Sequence, residues 1–260
     1  MKVKDIIGAI EEFAPLRLQE EWDNSGLLIG SEDSDIESVL VGFDCTPDLI
    51  AEAVSTGSGM VVTHHPLIFR GLKKIDESEP VGAAVAAAIR GNIAVYASHT
   101  PSDKVLGGVS GAMARRLGLE DIRALDPEED GTGLGAVGDL TIPMTPQEAL
   151  EMVREKLELP VLRASAPICG QITRIAMCGG SGSSLAGKAR SCGAQLYLTG
   201  DVSYHDFATP EGFMIADVGH FESEVEIVSI LFSVIRKKFP NFAVRISEGL
   251  RESNPVRYIL

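Results

Sequence analysis

Apolar residues along the chain follow two spacings, one typical of amphipathic helices and one typical of buried strands. In the first half of the chain, helices are predicted at residues 3–13, 46–57, 79–92 and 106–120. Short runs rich in β-branched residues lie between them and predict strands at 37–45, 59–66 and from residue 93. Thr46 before Pro47, with Gly57 at the end, is a typical helix start and stop. This alternation is typical of a parallel α/β layer.

A second set of elements begins near Pro127. Residues 128–141 are acidic and glycine-rich, which indicates a domain boundary or a hairpin. Beyond them, helices are predicted at 145–160, 183–193 and 223–240, and strands at 172–180, 194–201, 212–220 and 242–247. We therefore expect an α/β protein of two interlinked α/β units with mostly parallel or mixed sheets. The expected domains are 1–126 plus 218–260, which is discontinuous, and 127–217.

Composition narrows the class of protein. The chain has 260 residues, 45% of them hydrophobic and 23% charged, which is typical of globular proteins. A formal net charge of −14 repels phosphate backbones, so we do not expect broad nucleic-acid binding. The first fifteen residues do not resemble a signal peptide, and no stretch has the roughly 20 apolar residues of a membrane span. We expect a soluble, cytoplasmic protein.

The cysteines show no CxxC spacing, so we expect reduced, small core residues rather than disulfides. They are Cys45, Cys169, Cys178 and Cys192.

The five histidines all follow predicted strands. His64 and His65 come after "VVT", His99 after "VYAS", His205 a few residues after "YLTGD", and His220 after "MIADVG". Ligand sites in open α/β sheets gather outside the carboxyl ends of the strands. The histidines are therefore expected to meet on one face, although they span more than half of the sequence.

Two carboxylates accompany these histidines. Asp103 lies four residues after His99, and Glu224 lies four residues after His220. Imidazoles with carboxylates are typical ligands of zinc, iron or manganese, and five or six of them suggest two metals. The alternative is that each histidine is a hydrogen-bonded structural residue. Adjacent residues of a strand point to opposite faces, so His64 and His65 can share a site only if the strand breaks there, as Pro66 favours.

Several blocks together resemble the NIF-three-like proteins, dinuclear-metal hexamers often called GTP cyclohydrolase 1 type 2 homologues. The blocks are "EWDNSGLLIG", "VTHHPLIF", "SHTPSD", "LGGVSGAMARRLGL", "CGGSGSS", "LTGDVSYHD" and "GHFESE". They run in the family's order from about residue 20 to residue 226. The resemblance is to the shorter members without an inserted central domain. It implies a homohexameric ring, a toroid with its sites facing an internal cavity.

The resemblance also implies a ligand set for two divalent metals, which are iron, zinc or manganese. The implied ligands are His64, His65, Asp103, His220 and Glu224. One metal would take His64 and Asp103 and the other His65 and His220, with Glu224 and a water or hydroxide between them. His99 and His205 match family positions near the site and are expected to contact substrate, support the ligands or move protons.

Three further motifs each have two interpretations. Residues 182–189, "GSSLAGKA", nearly fit a phosphate-binding loop, but Ala189 replaces the hydroxyl that holds magnesium. Residues 179–185, "GGSGSSL", are expected to form a tight turn whose amides could still bind an anion. In "EWDNSG", Trp22 to Asn24 form either a capped turn with a packed indole or a loop lining a metal cleft.

These observations predict a dinuclear metal-binding protein. The first hypothesis is a metal-dependent hydrolase of a phosphorylated or nucleotide-like substrate, because paired cations activate water and stabilise negative charge. The GTP cyclohydrolase activity named in the resembling proteins is one version of it. The alternative is a non-enzymatic metal-binding scaffold, a metal carrier or a regulatory interaction protein.

Overall fold

The structure is a computed structural model that describes residues 1–259. Its strands are β1 (Gly26–Ile29), β2 (Ser38–Val41), β3 (Met60–Thr63), β4 (Ala94–Ala97), β5 (Glu120–Pro127), β6 (Gly133–Met144), β7 (Arg163–Ala164), β8 (Ile172–Met177), β9 (Leu196–Thr199), β10 (Met214–Asp217) and β11 (Ala243–Ile246). Its α-helices are α1 (Val3–Phe13), α2 (Pro47–Ser55), α3 (Pro80–Arg90), α4 (Thr100–Lys104), α5 (Val109–Leu117), α6 (Pro146–Lys156), α7 (Ala186–Ser191), α8 (His220–Glu224) and α9 (Glu226–Lys238). The predicted α/β class is confirmed.

The chain divides into two compact units. Unit 1 contains residues 1–102 and 227–257, and unit 2 contains residues 103–226 together with the residues from Tyr258. The chain leaves unit 1 after Ser102 and returns at Ile227, whereas the sequence prediction placed these points near residues 126 and 218. Hairpin strand β5 and helix α5 therefore belong to unit 2.

Unit 1 contains a sheet with the strand order β1-β4-β3-β2-β11. Strands β4, β3, β2 and β11 pair in parallel, and β1 adds to β4 in the antiparallel direction. Every residue of β2, β3 and β4 is buried, which is typical of parallel strands covered on both faces. Helices α2 and α3 pack on one face, where Leu40, Val61 and Val95 of the strands meet Ile50 and Ala84.

The carboxyl ends of β2, β3 and β4 lie at one edge of this sheet, because the three strands run in the same direction. Helix α2 starts just beyond β2 for a local reason. The hydroxyl of Thr46 accepts a hydrogen bond from Leu49 N at 3.1 Å, and Pro47 occupies the first helical position. The loops after β3 and β4 carry the predicted histidines of this unit.

Unit 2 contains a sheet with the strand order β5-β6-β8-β9-β10-β7. Its centre, β8-β9-β10, is parallel, and the remaining pairs are antiparallel. Residues 128–141 belong to a β5–β6 hairpin, which was one of the two interpretations of this glycine-rich stretch. Helix α6 begins with a capping box in which Thr145 and Glu148 satisfy each other's backbone amides. Both sheets are thus mixed, as expected.

Some elements differ from the predicted pattern. Strand β1 lies within residues 15–35, where the sequence pattern predicts neither a helix nor a strand, and α4 follows the strand predicted from residue 93. The helix predicted at 106–120 is shorter, because Gly118 adopts a left-handed conformation with φ +77° and ends α5. Within residues 1–259, none of the helices combines the length and apolar character that crossing a membrane requires.

Candidate metal centre

Three imidazoles cluster at the carboxyl edge of the unit 1 sheet. His64 and His65 directly follow β3, and His99 follows the adjacent parallel strand β4 after one residue. The ring centroids of His64 and His65 lie 4.9 Å apart, and those of His99 lie 5.2 and 5.3 Å from the two. One possible ligand nitrogen of each ring lies within 4.8 Å of those of the other two, so the group could hold a metal ion.

The extended backbone of β3 ends directly before the two adjacent histidines. Strand β3 ends at Thr63, and a bend follows at His64 and His65. The amides of both histidines donate to the carbonyl of Phe43, at 3.1 and 3.3 Å, and the Thr63 hydroxyl donates to the carbonyl of His65 at 2.8 Å. Both rings then contact Phe43, with centroids 5.8 and 4.7 Å from its ring. This bend allows neighbouring residues to turn to the same side.

Every imidazole in this group is oriented through its Nδ1 atom. The partners are Ser98 O for His64 at 3.0 Å, Asp44 Oδ1 for His65 at 2.8 Å and Asp23 Oδ1 for His99 at 2.7 Å. A carbonyl or carboxylate oxygen only accepts, so each Nδ1 carries the proton. The lone pair is then on Nε2, which is the usual arrangement of a metal-binding histidine and its supporting partner.

Asp23 is a buried carboxylate, with a side chain that is 0% exposed. Burial raises its pKa, but hydrogen bonds from His99, Thr100 and Ser25 outweigh burial and hold the pKa of Asp23 well below its ordinary value. The Thr100 hydroxyl and amide and the Ser25 hydroxyl all donate to this carboxylate. Asp23 therefore stays ionised and fixes the ring of His99.

The loop around Asp23 lines the imidazole cluster. Trp22 is 57% exposed, which does not fit the interpretation of a packed indole. Its ring lies 5.9 Å from that of His99 and 6.1 Å from that of Phe69. The side-chain amide of Asn24 donates to Ile68 O and ties the two loops together. Of the two interpretations of "EWDNSG", the structure supports the loop beside the candidate site.

Unit 2 contains a histidine–carboxylate pair of its own. His220 starts α8 directly beyond β10, and its Nε2 lies 3.0 Å from Oε2 of Glu224, one helical turn later. Its Nδ1 donates to Asp201 Oδ2 at 2.7 Å, so this ring too is held by a carboxylate. Glu224 is 4% exposed. A buried carboxylate beside an oriented imidazole is a suitable pair of metal ligands.

Asp103 lies in α4 and shares a neighbour with Glu224. The neighbour is Cys178, a buried cysteine just after β8. Burial first, and then the negative charges of Asp103 and Glu224, raise the pKa of the Cys178 thiol. Cys178 therefore remains a neutral thiol and is a poor thiolate ligand.

Glycines make room for the unit 2 pair. A Cβ at Gly180 would lie 2.3 Å from Glu224 Oε1, and one at Gly200 would lie 2.8 Å from the His220 backbone. Gly180 also has φ +60°, which an L side chain rarely adopts. The motifs "CGGSGSS" and "LTGD" thus allow the chain to approach the candidate ligands closely.

The glycine-rich loop does not offer its first amides to an anion. The amides of Gly179, Gly180 and Gly182 donate to the hydroxyls of Ser110, Ser223 and Thr199. Lys188 lies inside α7 and pairs with Asp126. The near match to a phosphate-binding loop is therefore a structural turn.

The structure places the remaining predicted residue, His205, in an exposed 3₁₀ turn at Tyr204–Phe207, with its ring 5.2 Å from that of Tyr204. Among the described contacts of unit 2, none joins His205 to His220 or Glu224. Its predicted role stays a prediction.

Sequence reasoning missed Asp44 and Asp201, the carboxylates that hold His65 and His220. Both follow strands, β2 and β9. The rule applied to histidines at strand ends would also have found these two carboxylates.

The cysteines are free, as expected, among the residues described. Cys45 and Cys178 are buried, in agreement with the core prediction. Cys169 is exposed and Cys192 is half-buried, so that prediction is wrong for Cys169, which lies in the turn before β8.

Oriented imidazoles and buried carboxylates beyond the ends of parallel strands define an α/β protein with side-chain groups that could bind metal ions. Residues 1–255 match the model of the family Duf34/NIF3 (NGG1p interacting factor 3). The chain belongs to this family.

Relatives and solved structures agree with this assignment. A protein of Clostridium perfringens named GTP cyclohydrolase 1 type 2 homolog is 36% identical over 228 residues, which cover 86% of this chain and 87% of the relative. A protein of the same name from Lactococcus lactis is 35% identical, covering 98% of each chain. The crystal structure of a Staphylococcus aureus hypothetical protein superposes with a TM-score of 0.91 at 26% identity, covering 100% of this chain and 99% of that one.

Proposed function

We propose that the chain is a dinuclear divalent-metal-binding protein that acts as a metal-dependent hydrolase. The proposed ligands are His64, His65, Asp103, His220 and Glu224. One observation carries the proposal. The imidazoles of His64, His65 and His220 are each held at Nδ1 by an oxygen acceptor, and such preorganised Nε2 lone pairs are typical of metal ligands.

Asp103 is the proposed ligand of unit 2 that lies nearest in the sequence to the imidazoles of unit 1. Helix α4 begins at Thr100, next to His99, and ends at Lys104, so Asp103 follows His99 by four residues, about one helical turn. The negative charges of Asp103 and Glu224 both raise the pKa of the Cys178 thiol, after the larger effect of burial. We propose that Asp103 completes the ligand set, with Glu224 as the bridging carboxylate.

In the proposed chemistry the metal ions and the protein side chains have different roles. Two divalent ions supply Lewis acidity, which lowers the pKa of water and stabilises negative charge on the substrate. The protein orients its imidazoles through Asp44, Asp201 and Asp23. In the dinuclear state His99 accepts or returns a proton at Nε2 while Asp23 holds Nδ1. We propose iron, zinc or manganese, because the ligands mix nitrogen and oxygen.

The substrate class follows from this chemistry. Paired cations can stabilise both the attacking and the leaving oxygen of a displacement at phosphorus, so we propose a phosphorylated or nucleotide-like substrate. The curated relatives carry the name GTP cyclohydrolase 1 type 2 homolog, which agrees with a nucleotide-like substrate.

We also propose a ring-shaped homohexamer, to be tested by light scattering of the purified protein.

The test combines metal analysis with a hydrolysis screen. We expect protein purified without chelator to hold two transition ions per chain. It should hydrolyse a member of a panel of phosphoesters, nucleotides and peptides. Glu224→Gln should lose metal and activity together. The matched control is Glu226→Gln, which changes an exposed carboxylate at the start of α9.

The possible outcomes are distinct. Activity that survives Glu224→Gln would come from another site and contradict the proposal. Two bound ions without turnover on any class would contradict the hydrolase and favour a metal-binding scaffold or carrier.

A further inference from the structure

We propose that Arg163, Tyr204 and His205 of unit 2 line a pocket that binds the planar heterocycle of a nucleotide-like substrate, such as a purine or pyrimidine base. The proposal rests on the proposed function, which assigns the phosphorylated part of the substrate to the metal ions. It adds a place for the heterocycle, and the residues that line this place all belong to unit 2.

The pocket has the size of a small-molecule site. Its volume is about 520 Å³, within the range of roughly 300–1,000 Å³ that is usual for ligand pockets. Its walls come from Arg163 and Ala164 of β7 and from the 3₁₀ turn at Tyr204–Phe207 with Ala208. The pocket is therefore large enough for a ligand such as a nucleoside.

The guanidinium of Arg163 is held as a flat surface in this pocket. It lies over the ring of Phe207, with Cζ 5.4 Å from the ring centroid. Its Nη2 atom donates to the carboxylate of Asp217 and to Val202 O. The Arg163 side chain nevertheless remains 59% exposed. Guanidinium planes stack on nucleobases, so the exposed side of Arg163 can accept a planar ring.

Tyr204 and His205 supply a stacking surface and a polar group. Tyr204 is 86% exposed, and the centroid of its ring lies 5.2 Å from that of His205 at an angle of 80°. An aromatic ring that projects into water buries apolar area when a base stacks on it. The imidazole of His205 can donate or accept a hydrogen bond at the edge of such a base. The two side chains thus offer the two kinds of contact by which bases are recognised.

The charges of the pocket favour a ring over a phosphate. Arg163 supplies a positive charge, and the carboxylate of Asp217, which is 6% exposed, compensates it. Phosphate recognition by arginine uses the guanidinium N–H groups, which Asp217 already occupies in part. Stacking uses the plane of the guanidinium and leaves its hydrogen bonds intact. The pocket therefore suits the base of a nucleotide better than its phosphate.

Asp217 also connects the pocket with the proposed metal ligand His220. Its Oδ1 atom accepts a hydrogen bond at 3.0 Å from the amide of Gly219, the residue before His220. The imidazole of His220 is held by Asp201. Tyr204 follows Asp201 by three residues, so their α-carbons lie at most about 11 Å apart. A base in the pocket can thus belong to the same substrate molecule whose phosphate meets the metal ions.

The test titrates the full-length, chelator-treated protein with guanosine, adenosine and ribose and follows binding by saturation-transfer NMR. Without metal, binding reports on the pocket alone. We expect both nucleosides to bind, with transfer to their base protons, and ribose not to bind. Tyr204→Ala should weaken nucleoside binding by roughly 5–150-fold, the range for loss of an aromatic side chain that stacks on a base. Tyr204→Phe keeps the ring and should bind like the wild type.

Arg163→Lys separates stacking from charge. Lysine keeps a positive charge beside Asp217 but lacks the planar guanidinium, so nucleoside binding should fall by about 2–5-fold, the cation–π contribution at an exposed site. The matched control is Asp206→Asn, which changes an exposed residue of the same turn that does not line the pocket. It should bind nucleosides like the wild type.

Three results would overturn the pocket. They are nucleosides that do not bind the wild type, binding that Tyr204→Ala leaves unchanged, and transfer confined to sugar protons. Tyr204 is so exposed that its alanine variant should fold normally.

The metal-loaded protein separates this proposal from the proposed function. Equal kcat/KM for nucleotides and for phosphoesters that lack a base would leave the hydrolase standing and remove the pocket. Nucleoside binding that Tyr204→Ala weakens, in a protein without turnover, would support the pocket and contradict the hydrolase.

Discussion

The carboxylate of Asp23 accepts a hydrogen bond from Nδ1 of His99 at 2.7 Å, and the two residues lie 76 positions apart in the sequence. Asp23 belongs to the loop before β1, and His99 follows β4, which is the strand that β1 pairs with. The antiparallel β1–β4 pair thus places a buried anion behind the imidazole. This contact connects the motifs "EWDNSG" and "SHTPSD", which the sequence alone leaves unrelated.

The Asp23 carboxylate should make stability depend on pH. Its folded-state pKa is below its ordinary value of 3.8, so its contribution is complete above that value and is lost as the pH falls towards the folded-state pKa. We expect Asp23→Asn to reduce the free energy of unfolding at pH 7 by about 1.5–3 kcal/mol, the range for hydrogen bonds to a charged group. Urea unfolding of both proteins between pH 7 and pH 3 measures the difference, which should shrink below about pH 4.

A difference between wild type and Asp23→Asn that stays constant down to pH 3 would contradict this account. Thr100→Val serves as the control, because it removes one hydrogen bond to the carboxylate and keeps the charge. Its cost should be smaller, about 0.5–1.5 kcal/mol, and should leave a pH dependence like that of the wild type.

Gly180 should be essential for the position of Glu224. An alanine Cβ would lie 2.3 Å from Glu224 Oε1, and the φ of +60° disfavours any side chain. We expect Gly180→Ala to displace the carboxylate and to lower metal affinity by at least about 10-fold, as for other displaced ligand groups. Competition with a chromogenic chelator measures the affinity.

A second glycine provides the matched control for Gly180→Ala. Gly187 lies in α7, and a Cβ there would meet nothing within 4 Å. Gly187→Ala should keep metal affinity and stabilise the protein by about 0.5–1 kcal/mol, because alanine favours helix interiors. Equal metal affinities for the two alanine variants would show that Gly180 has no role in placing Glu224.

Asp44 and Asp201 should act on metal binding without being ligands. Each accepts a hydrogen bond from Nδ1 of a proposed ligand, His65 or His220. Replacing either by asparagine should weaken metal binding by about 10–100-fold while the fold persists. Dialysis against buffered Zn²⁺ measures the loss. Asp206→Asn, which changes an exposed carboxylate in the same turn as His205, should bind Zn²⁺ like the wild type.

The contacts of these carboxylates show where sequence reasoning succeeds and where it ends. That His64, His65 and His99 meet follows from a simple rule, because they end parallel strands that are neighbours in the sheet. The sequence pattern also predicts β2, β3 and β4, since each is a short run of mainly apolar, often β-branched residues. The fold class and the three-imidazole cluster could therefore be predicted.

Contacts set by long-range pairing could not be predicted. Strand β1 is four residues long, and its partner β4 lies about 70 residues further on, so no local period distinguishes it from the loop around it. Likewise, Asp23 is one of many acidic residues near a turn. Only the β1–β4 register shows that it meets His99 rather than water.

The exposed and buried cysteines should react very differently with alkylating reagents. Cys169 is exposed, whereas Cys45 and Cys178 are buried. Burial, followed by the charge of Asp44, raises the pKa of Cys45 to about 12, and burial with two nearby carboxylates raises that of Cys178 as well. Because the thiolate is the reactive form, iodoacetamide at pH 8 should label Cys169 first in the native protein.

Mass spectrometry of tryptic peptides after timed labelling measures this order. We expect labelling of Cys45 and Cys178 only in urea, where burial and the neighbouring charges are both lost. Cys178 adjoins Asp103 and Glu224, so rapid labelling of Cys178 in folded, chelator-treated protein would contradict the buried surroundings of these two carboxylates. Protection of Cys178 with and without metal would instead show that the protein forms the pocket around these carboxylates before any ion binds.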